Sequence, residues 1–384
     1  MTHRVRYGMV GGGEGAFIGA VHRMAARLDD GWELVCGAFS ADAIKARRSG
    51  AALGVPAGRC YDNFTAMMAH EALLPTAQRM QCVVIVTPNH LHLPVALAAF
   101  QHGFHVLSDK PATASLSECR ELAARLRHSG VHYGLTHAYS GYPMIREARA
   151  RIARGELGAV RKILVEYTQG WLALPIERDG QKQAAWRLDP AQAGVGGCMG
   201  DIGVHAFQLA EFTTGLAVQE LSAHLHSVVP GRKLDDDGTV LLRFGNGASG
   251  VLVASQICVG DENNLRLRVY GDQASLDWQQ MEPNSLWLRG IDGPAQLLRT
   301  GGAGTGPEAA AAQRVPGGHP EGYIEAFANL YREFGQLLQH GGVTSVPGIE
   351  TALRGMAFVE TAVASSAAGN QWLPLPACLA PASD

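Results

Sequence analysis

The sequence predicts an α/β N-terminal domain on a parallel sheet, followed by an α+β domain on a mostly antiparallel sheet. Three observations predict this. Short Val-rich runs alternate with helical stretches up to about residue 137, as βαβ units require. A glycine-rich turn joins the first apolar run to the first helical one. From Val160 onward, strand-like runs succeed one another without helices between them, and their turns carry Gly, Asn or Asp. A chain of 384 residues is too long for one ordinary core. The expected division is 1–137 and 138–384, with the C-terminal helix a candidate to pack back on the first domain.

Taken in order, Val5–Val10, Glu33–Ala38, Cys82–Val86, His105–Leu107 and Tyr133–Thr136 read as buried strands. Between them, Gly19–Leu28, Asp42–Leu53, Asn63–Ala69, Leu93–His102 and Leu116–His128 carry apolar residues at helical spacing. Pro143 suits a first helical position and Gly155 a stop, so a helix is expected to about Arg154. Strands are then expected at Val160–Thr168, Leu221–Val228, Thr239–Phe244, Ser249–Ile257, Leu265–Tyr270, Ala274–Asp277 and Ser285–Leu288. Gly245-Asn246-Gly247 and Gly271-Asp272 are the clearest turns among them. Thr300–Gly318, rich in Gly and Ala, reads as a surface loop. Helical patterns return at Tyr323–Gln339 and Gly348–Ser366.

Composition narrows the function. Hydrophobic residues make up 47% and charged residues 17%, as in globular proteins, and no apolar run reaches the ~18 residues of a membrane span. The N-terminus lacks the pattern of a signal peptide. Seven scattered cysteines without a CxxC pair point to free thiols in a reducing compartment. A net charge of −3, from 32 basic and 35 acidic residues, gives nucleic-acid binding little support. The expectation is a soluble cytoplasmic protein with no nucleic-acid or membrane partner.

Gly8-Met9-Val10-Gly11-Gly12-Gly13-Glu14-Gly15-Ala16-Phe17-Ile18-Gly19 follows the first strand and opens the first helix. Glycines there permit a tight turn, let backbone N–H groups approach a pyrophosphate, and set it on a helix N-terminus. Gly11, Gly13, Gly15, Phe17 and Ile18 are therefore candidate dinucleotide contacts in a Rossmann domain. The second strand ends at Ser40, where an NAD enzyme usually has Asp or Glu for the ribose hydroxyls. Lys45, Arg47 or Arg48 could approach a 2′-phosphate, or could form the solvated face of a helix. The expected cofactor is NAD or NADP, with NAD slightly favoured and Ser40 and Lys45 as candidate contacts.

Thr87-Pro88-Asn89-His90-Leu91-His92 follows the third strand and Asp109-Lys110-Pro111 the fourth. Downstream stand Trp186-Arg187 and Gly196-Gly197-Cys198-Met199-Gly200-Asp201-Ile202-Gly203-Val204-His205. This ordered set resembles the Gfo/Idh/MocA family, named for glucose-fructose oxidoreductase, inositol dehydrogenase and a rhizopine-catabolism protein. The resemblance spans nearly the whole chain. It implies a Rossmann domain plus a large open, mostly antiparallel sheet, and hydride transfer to or from a sugar, anhydrosugar or cyclitol. It also implies that Thr87, Pro88, Asn89, His92, Asp109 and Lys110 lie at the cofactor. Four residues separate Gly13 from Ile18 where relatives usually have one. Asp109 replaces the family's Glu, and Ser40 replaces the ribose-binding acid.

Oxidising a secondary alcohol requires a base for the hydroxyl proton and a group that fixes the hydroxyl. His205 suits the first role, since an unperturbed imidazole titrates near ~6.5. Asp201, four residues earlier, would lie on the same side of a helix and could orient the imidazole or bond substrate. It could equally be only a helix N-cap. Lys110, just past a strand end, can donate to the hydroxyl and stabilise a developing alkoxide. Lys110, Asp201 and His205 are the expected catalytic residues. Tyr139, Trp171, Trp186, Arg187, His319 and Tyr323 are candidate substrate contacts, with core packing the alternative for the aromatics and a carboxylate partner the alternative for Arg187. No HExxH or Cys/His grouping appears, and His90 and His92 have no third ligand, so no metal is expected.

The leading expectation is an NAD(P)-dependent dehydrogenase acting on a CH–OH group of a small polyol. An NAD-dependent redox glycosidase and a non-catalytic sugar or nucleotide sensor are the alternatives. A homodimer or homotetramer is the expected assembly.

Overall fold

The computed structural model describes residues 4–376, so Cys378 lies outside the described residues. It divides into two units: the chain up to His137 together with Phe327–Leu353, and Ala138–Ala326 together with the chain from Arg354.

The first unit is a five-stranded parallel sheet. Its strands are β1 (Val5–Gly11), β2 (Trp32–Ala38), β3 (Cys82–Val86), β4 (His105–Ser108) and β5 (Tyr133–Leu135), in the order β2-β1-β3-β4-β5. The helices are α1 (Phe17–Leu28), α2 (Ala43–Ala52), α3 (Phe64–Leu73), α4 (His92–Gln101) and α5 (Leu116–Arg127). All five residues of β3 are buried, which is why that run is continuously apolar. The order reverses between β1 and β3, and open α/β sheets take ligands outside the strand ends at such a switch point. The turns after β1 and β3 are the glycine-rich and Thr87–His92 segments.

Phe327–Leu353 belongs to this unit rather than to the second because its helix carries aromatic residues that complete the core. The Trp32 indole donates to the Tyr331 carbonyl at 2.9 Å and stacks on Phe334, and the His22 Nδ1 meets the Tyr331 hydroxyl at 2.7 Å. Burial pushes the His22 imidazole down to about 4, so it stays neutral.

A buried ion pair holds α3 to the loop before it. The Glu71 carboxylate, with no exposed side-chain surface, accepts from Arg59 Nε at 2.9 Å, Tyr61 hydroxyl at 2.9 Å and Met80 N–H at 3.0 Å. Burial alone would raise the Glu71 pKa, but the bonds from Arg59 and Met80 outweigh it and hold it below the usual carboxylate range. Because the folded-state pKa is depressed, this stabilisation is present above about 4.5 and is lost as pH falls below it. Glu71→Ala is expected to cost about 3–5 kcal/mol at neutral pH, since it strands Arg59. Thermal melts of the variant should also lose less on acidification than those of the wild type.

The second unit opens with α6 (Pro143–Ala153) and β6 (Val160–Thr168). After them come α7 (Lys182–Arg187), α8 (Pro190–Ala193) and α9 (Val204–Thr214). The strands that follow are β7 (Val218–His226), β8 (Asp237–Phe244), β9 (Ser249–Ser255), β10 (Asn264–Gly271), β11 (Ala274–Gln279), β12 (Ser285–Gly290) and β13 (Gln296–Arg299). The last elements of the chain are α10 (Pro307–Ala311), α11 (Tyr323–His340), which from Phe327 belongs to the first unit, α12 (Ile349–Ala367), which belongs to the second unit from Arg354, and β14 (Leu373–Pro374). The nine strands order as β13-β12-β11-β10-β6-β9-β8-β7-β14, with β6 and β9 parallel and the other neighbours antiparallel. Alternation in β8, with Gly238, Val240, Leu242 and Phe244 buried, gives the sheet one covered face. The resemblance's large open, mostly antiparallel sheet is what the chain forms.

Several elements differ from the sequence reading, and α7 and α8 stand where it gives no helix. The Thr300–Gly318 segment is not all loop, because Pro307 at a helix start and Glu308 in the first turn nucleate α10. Ala309 and Ala312 are buried there, and the Gly306 N–H reaches the buried Glu147 at 2.7 Å. The short edge strands β13 and β14 carry no periodicity of their own and form only by pairing with β12 and β7. No described helix is long and apolar enough to cross a membrane.

Candidate active site

In the first unit, Gly11, Gly12 and Gly15 adopt φ of +83°, +69° and +76°. Gly19 packs so closely that an added Cβ would stand 2.4 Å from the Gly12 Cα, the close strand–helix approach that such a turn needs. Gly12 and Gly19 were not among the candidates, although both stand in the motif.

The longer turn has a local explanation. The Ala16 N–H bonds the Gly13 carbonyl at 3.0 Å, the Glu14 N–H bonds Ser49 Oγ at 3.0 Å, and Arg48 Nε bonds the Glu14 carboxylate at 2.7 Å. The extra residues thus form their own turn, and α1 begins at Phe17 with no side-chain cap and no acidic residue in its first turn. A helix start leaves its first N–H groups without intrahelical partners, so this end fits an anion. Phe17 is 70% exposed beside it.

At the end of β2, Ser40 Oγ accepts from the Asp42 N–H at 3.2 Å, and Asp42 caps α2 through the Lys45 N–H. Arg47 pairs with Asp62 and Arg48 with Glu14, so both are engaged on the protein.

The loops after β3 and β4 are tied together by His92. Its Nδ1 lies 2.7 Å from the Pro111 carbonyl and its Nε2 lies 2.9 Å from that of Thr87. The ring is 1% exposed and burial lowers its pKa. With both nitrogens turned to backbone carbonyls, His92 is a brace between loops rather than a group directed at a ligand. Asn89 is buried in the short turn that precedes α4. Asp109 Oδ1 accepts from the Lys110 N–H at 2.8 Å and from Thr136 Oγ1 at 3.3 Å, which fixes the backbone at Lys110. The Lys110–Pro111 peptide is cis. His137, absent from the candidates, is buried after β5, and burial followed by the Lys110 charge pushes its pKa down to about 3. A neutral imidazole therefore stands in the electrostatic reach of the Lys110 ammonium.

In the second unit, Asp201 and His205 are not on one α-helix. Met199–Gly203 is a π-helical turn, and α9 starts only at Val204. Asp201 Oδ2 accepts from Gln256 Nε2 at 2.9 Å and lies 3.2 Å from Arg187 Nε. Arg187 thus takes the second of its two expected courses, pairing with a carboxylate. It also lies over the Trp186 ring at 4.3 Å and donates to Gln183 Oε1 at 2.6 Å.

His205 is 8% exposed, with the Tyr139 ring edge-on at 4.9 Å and the Tyr167 ring at 6.3 Å. The Tyr139 and Tyr167 hydroxyls bond each other. Tyr167 donates to Asn263 Oδ1 at 2.6 Å, and Gln169 Nε2 donates to the same oxygen at 2.6 Å. Trp171 Nε1 donates to Gln169 Oε1 at 2.9 Å, and Gln256 Nε2 reaches that oxygen at 3.4 Å. Burial raises the pKa of both tyrosines, so they remain phenols. One polar network therefore runs from Arg187 through Asp201, Gln256 and Gln169 to the tyrosines beside His205.

Tyr323 joins this group, its ring 6.3 Å from that of Tyr139. His319 does not: it is exposed, with Nδ1 3.1 Å from the Pro316 carbonyl. Tyr167, Gln169, Gln256 and Asn263 were missed. They meet because Thr168 pairs with both Ser255 and Asn264, a sheet register that no sequence spacing reveals. Among the described residues no group of three or more His, Cys, Asp or Glu is placed to hold a metal ion.

Comparison with known proteins agrees with this geometry. Residues 5–137 match a model described as an oxidoreductase family with an NAD-binding Rossmann fold, and residues 145–277 match the GFO/IDH/MocA C-terminal domain. The uncharacterized oxidoreductase YfiI of Bacillus subtilis is 32% identical over 96% of both chains. The levoglucosan dehydrogenase of Pseudarthrobacter phenanthrenivorans is 24% identical over 77% of this chain and 80% of its own. The crystal structure of an inositol dehydrogenase homolog complexed with NAD+, from Azotobacter vinelandii, superposes with a TM-score of 0.93. It is 33% identical and covers 97% of this chain and 98% of its own.

Proposed function

Since this chain belongs to the GFO/IDH/MocA oxidoreductase family with its NAD-binding Rossmann fold, we propose that it oxidises a secondary hydroxyl of a neutral sugar, anhydrosugar or cyclitol, or reduces the corresponding ketone. The observation that carries the reading is the half-buried network of amide, phenol and indole groups around His205 and Asp201. Alternating donors and acceptors of this kind suit a polyhydroxylated ring. Among the described residues of this network, the Arg187 guanidinium pairs with Asp201 and so is not left for a phosphate or carboxylate. Relatives named levoglucosan dehydrogenase and inositol dehydrogenase homolog support the class.

The glycine turn and the uncapped start of α1 fit a pyrophosphate, with Gly11, Gly12, Phe17 and Ile18 as the residues that would hold it. The nicotinamide supplies the hydride acceptor when bound. His205 takes the proton from the substrate hydroxyl, and Lys110 supplies a donor that stabilises negative charge as it develops. Asp201, held by Arg187 and Gln256, orients substrate beside His205. Tyr139, Trp171 and Tyr323 contact the ring.

Self-association belongs to the same proposal. The row Leu297–Trp287–Asp277–Arg268–Leu164–Val251–Leu241 crosses the open sheet face in register, with Leu297, Trp287 and Leu241 42%, 38% and 44% exposed. Such a half-apolar face suits a homodimer or homotetramer contact.

The test is a near-ultraviolet absorbance screen for reduced nicotinamide, with monosaccharides, anhydrosugars, inositols and sugar acids against NAD and NADP separately. Signal with a neutral polyol and one cofactor is expected. Turnover confined to sugar acids would overturn the substrate class. Silence across the panel, with cofactor bound by calorimetry, would overturn the dehydrogenase reading in favour of a redox glycosidase or a sensor.

A further inference from the structure

Three consecutive aspartates, Asp235, Asp236 and Asp237, lead into β8, and the first two are buried at 8% and 0% exposure. Their carboxylates hold different parts of the chain. Asp235 Oδ1 accepts from the Gly197 N–H and Oδ2 from the Met199 N–H, both at 2.7 Å. Its main-chain carbonyl accepts from the Cys198 N–H, also at 2.7 Å. Three successive amides thus end on one residue. They stand at the start of the turn that bears Asp201, where a helical segment cannot satisfy its own N–H groups.

The fit is close enough to exclude a side chain at Gly197, whose added Cβ would stand 2.2 Å from the Asp235 carbonyl oxygen. The turn begins from that residue, since the Asp201 N–H bonds the Gly197 carbonyl at 2.9 Å. Asp236 serves a separate loop: it accepts from the Val228 and Val229 N–H groups at 2.7 and 3.0 Å and from Arg232 Nη1 at 3.1 Å.

We propose that Asp235 is a positioning residue for the catalytic turn, fixing by its three acceptor bonds the setting in which Asp201 meets Arg187 and Gln256 and His205 meets Tyr139. This rests on the dehydrogenase reading for its kinetic consequence. Asp235→Asn preserves shape but turns an amide NH2 toward a backbone N–H, so one bond is lost and the turn shifts. Small displacements of reacting groups cost up to about 10²-fold in rate.

The experiment pairs Asp235→Asn with Asp236→Asn, the same chemical change one residue on. Asp235→Asn is expected to lower kcat about tenfold or more, with polyol KM changed less and NAD(P) affinity unchanged. Asp236→Asn is expected to lower the melting temperature while kcat stays within about twofold. Equal kcat in the two variants, or an Asp235→Asn enzyme within about twofold of wild type, would overturn the proposal. If Asp235→Asn does not fold, Gly197→Ala presses on the same contact from the other side, and an unchanged kcat there would overturn it too. Hydrogen–deuterium exchange over residues 197–205 reads the turn without turnover: faster exchange in Asp235→Asn alone supports the proposal, and unchanged exchange sinks it. A wild type inactive on every polyol would instead count against the dehydrogenase reading, with exchange still deciding the role of Asp235.

Discussion

Lys110→Met is expected to reduce kcat about 10²- to 10³-fold while the affinity for NAD(P) changes only a few-fold. The magnitude is that of removing one preorganised donor from a developing oxyanion, about 3–4 kcal/mol of transition-state stabilisation. Preorganisation is visible in the first unit, where the Lys110 N–H is bonded to Asp109, Asp109 to Thr136, and the next residue's carbonyl to His92. The backbone that carries the side chain is therefore fixed before substrate arrives. Methionine keeps the apolar stem and deletes the ammonium, so a loss of rate is attributable to charge and donation. Single-turnover absorbance with saturating cofactor, together with calorimetry of cofactor binding, separates the two effects. A variant that binds NAD(P) and turns over at the wild-type rate would remove Lys110 from the mechanism.

The parts of this site that lie within one stretch of chain were legible from sequence. The glycine turn, Asp109-Lys110-Pro111 and Asp201…His205 are local, and a strand end or helix start can be read from neighbouring residues. Even there, local spacing misled in one respect. The four-residue interval between Asp201 and His205 implies one helical face, yet the π-helical turn intervenes and gives Asp201 to Arg187 and Gln256. The polar network could not be read at all. Tyr167, Gln169, Gln256 and Asn263 come from the ends of β6 and β9 and the approach to β10, and only register unites them. The same applies to Asp235, which resembles any acidic turn residue until its amide partners some 38 positions earlier are known. The fold was clearer than the site because its two grammars, βαβ alternation and strand succession, repeat many times. Edge strands such as β13 and β14 escaped because a strand of two to four residues has no period to detect.

His205→Ala should lower kcat by about 10²- to 10⁴-fold, the usual range for removal of a positioned general base. Loss of rate alone would not establish that role, because the imidazole also packs edge-on against Tyr139 and its removal opens a void among buried aromatics. Two consequences separate chemistry from packing. A base can be supplied from solution, so added imidazole should restore a measurable part of the lost rate in His205→Ala, with saturation as the void fills. His205→Phe, which restores ring volume without a nitrogen, should recover thermal stability and none of the rate. If packing were the whole contribution, the phenylalanine variant would recover turnover and imidazole would have no effect, and proton removal would have to be reassigned. The tyrosines are poor substitutes in that role, because burial keeps Tyr139 and Tyr167 as phenols and their hydroxyls are bonded to each other. The rescue experiment therefore tests His205 against the nearest groups able to replace it.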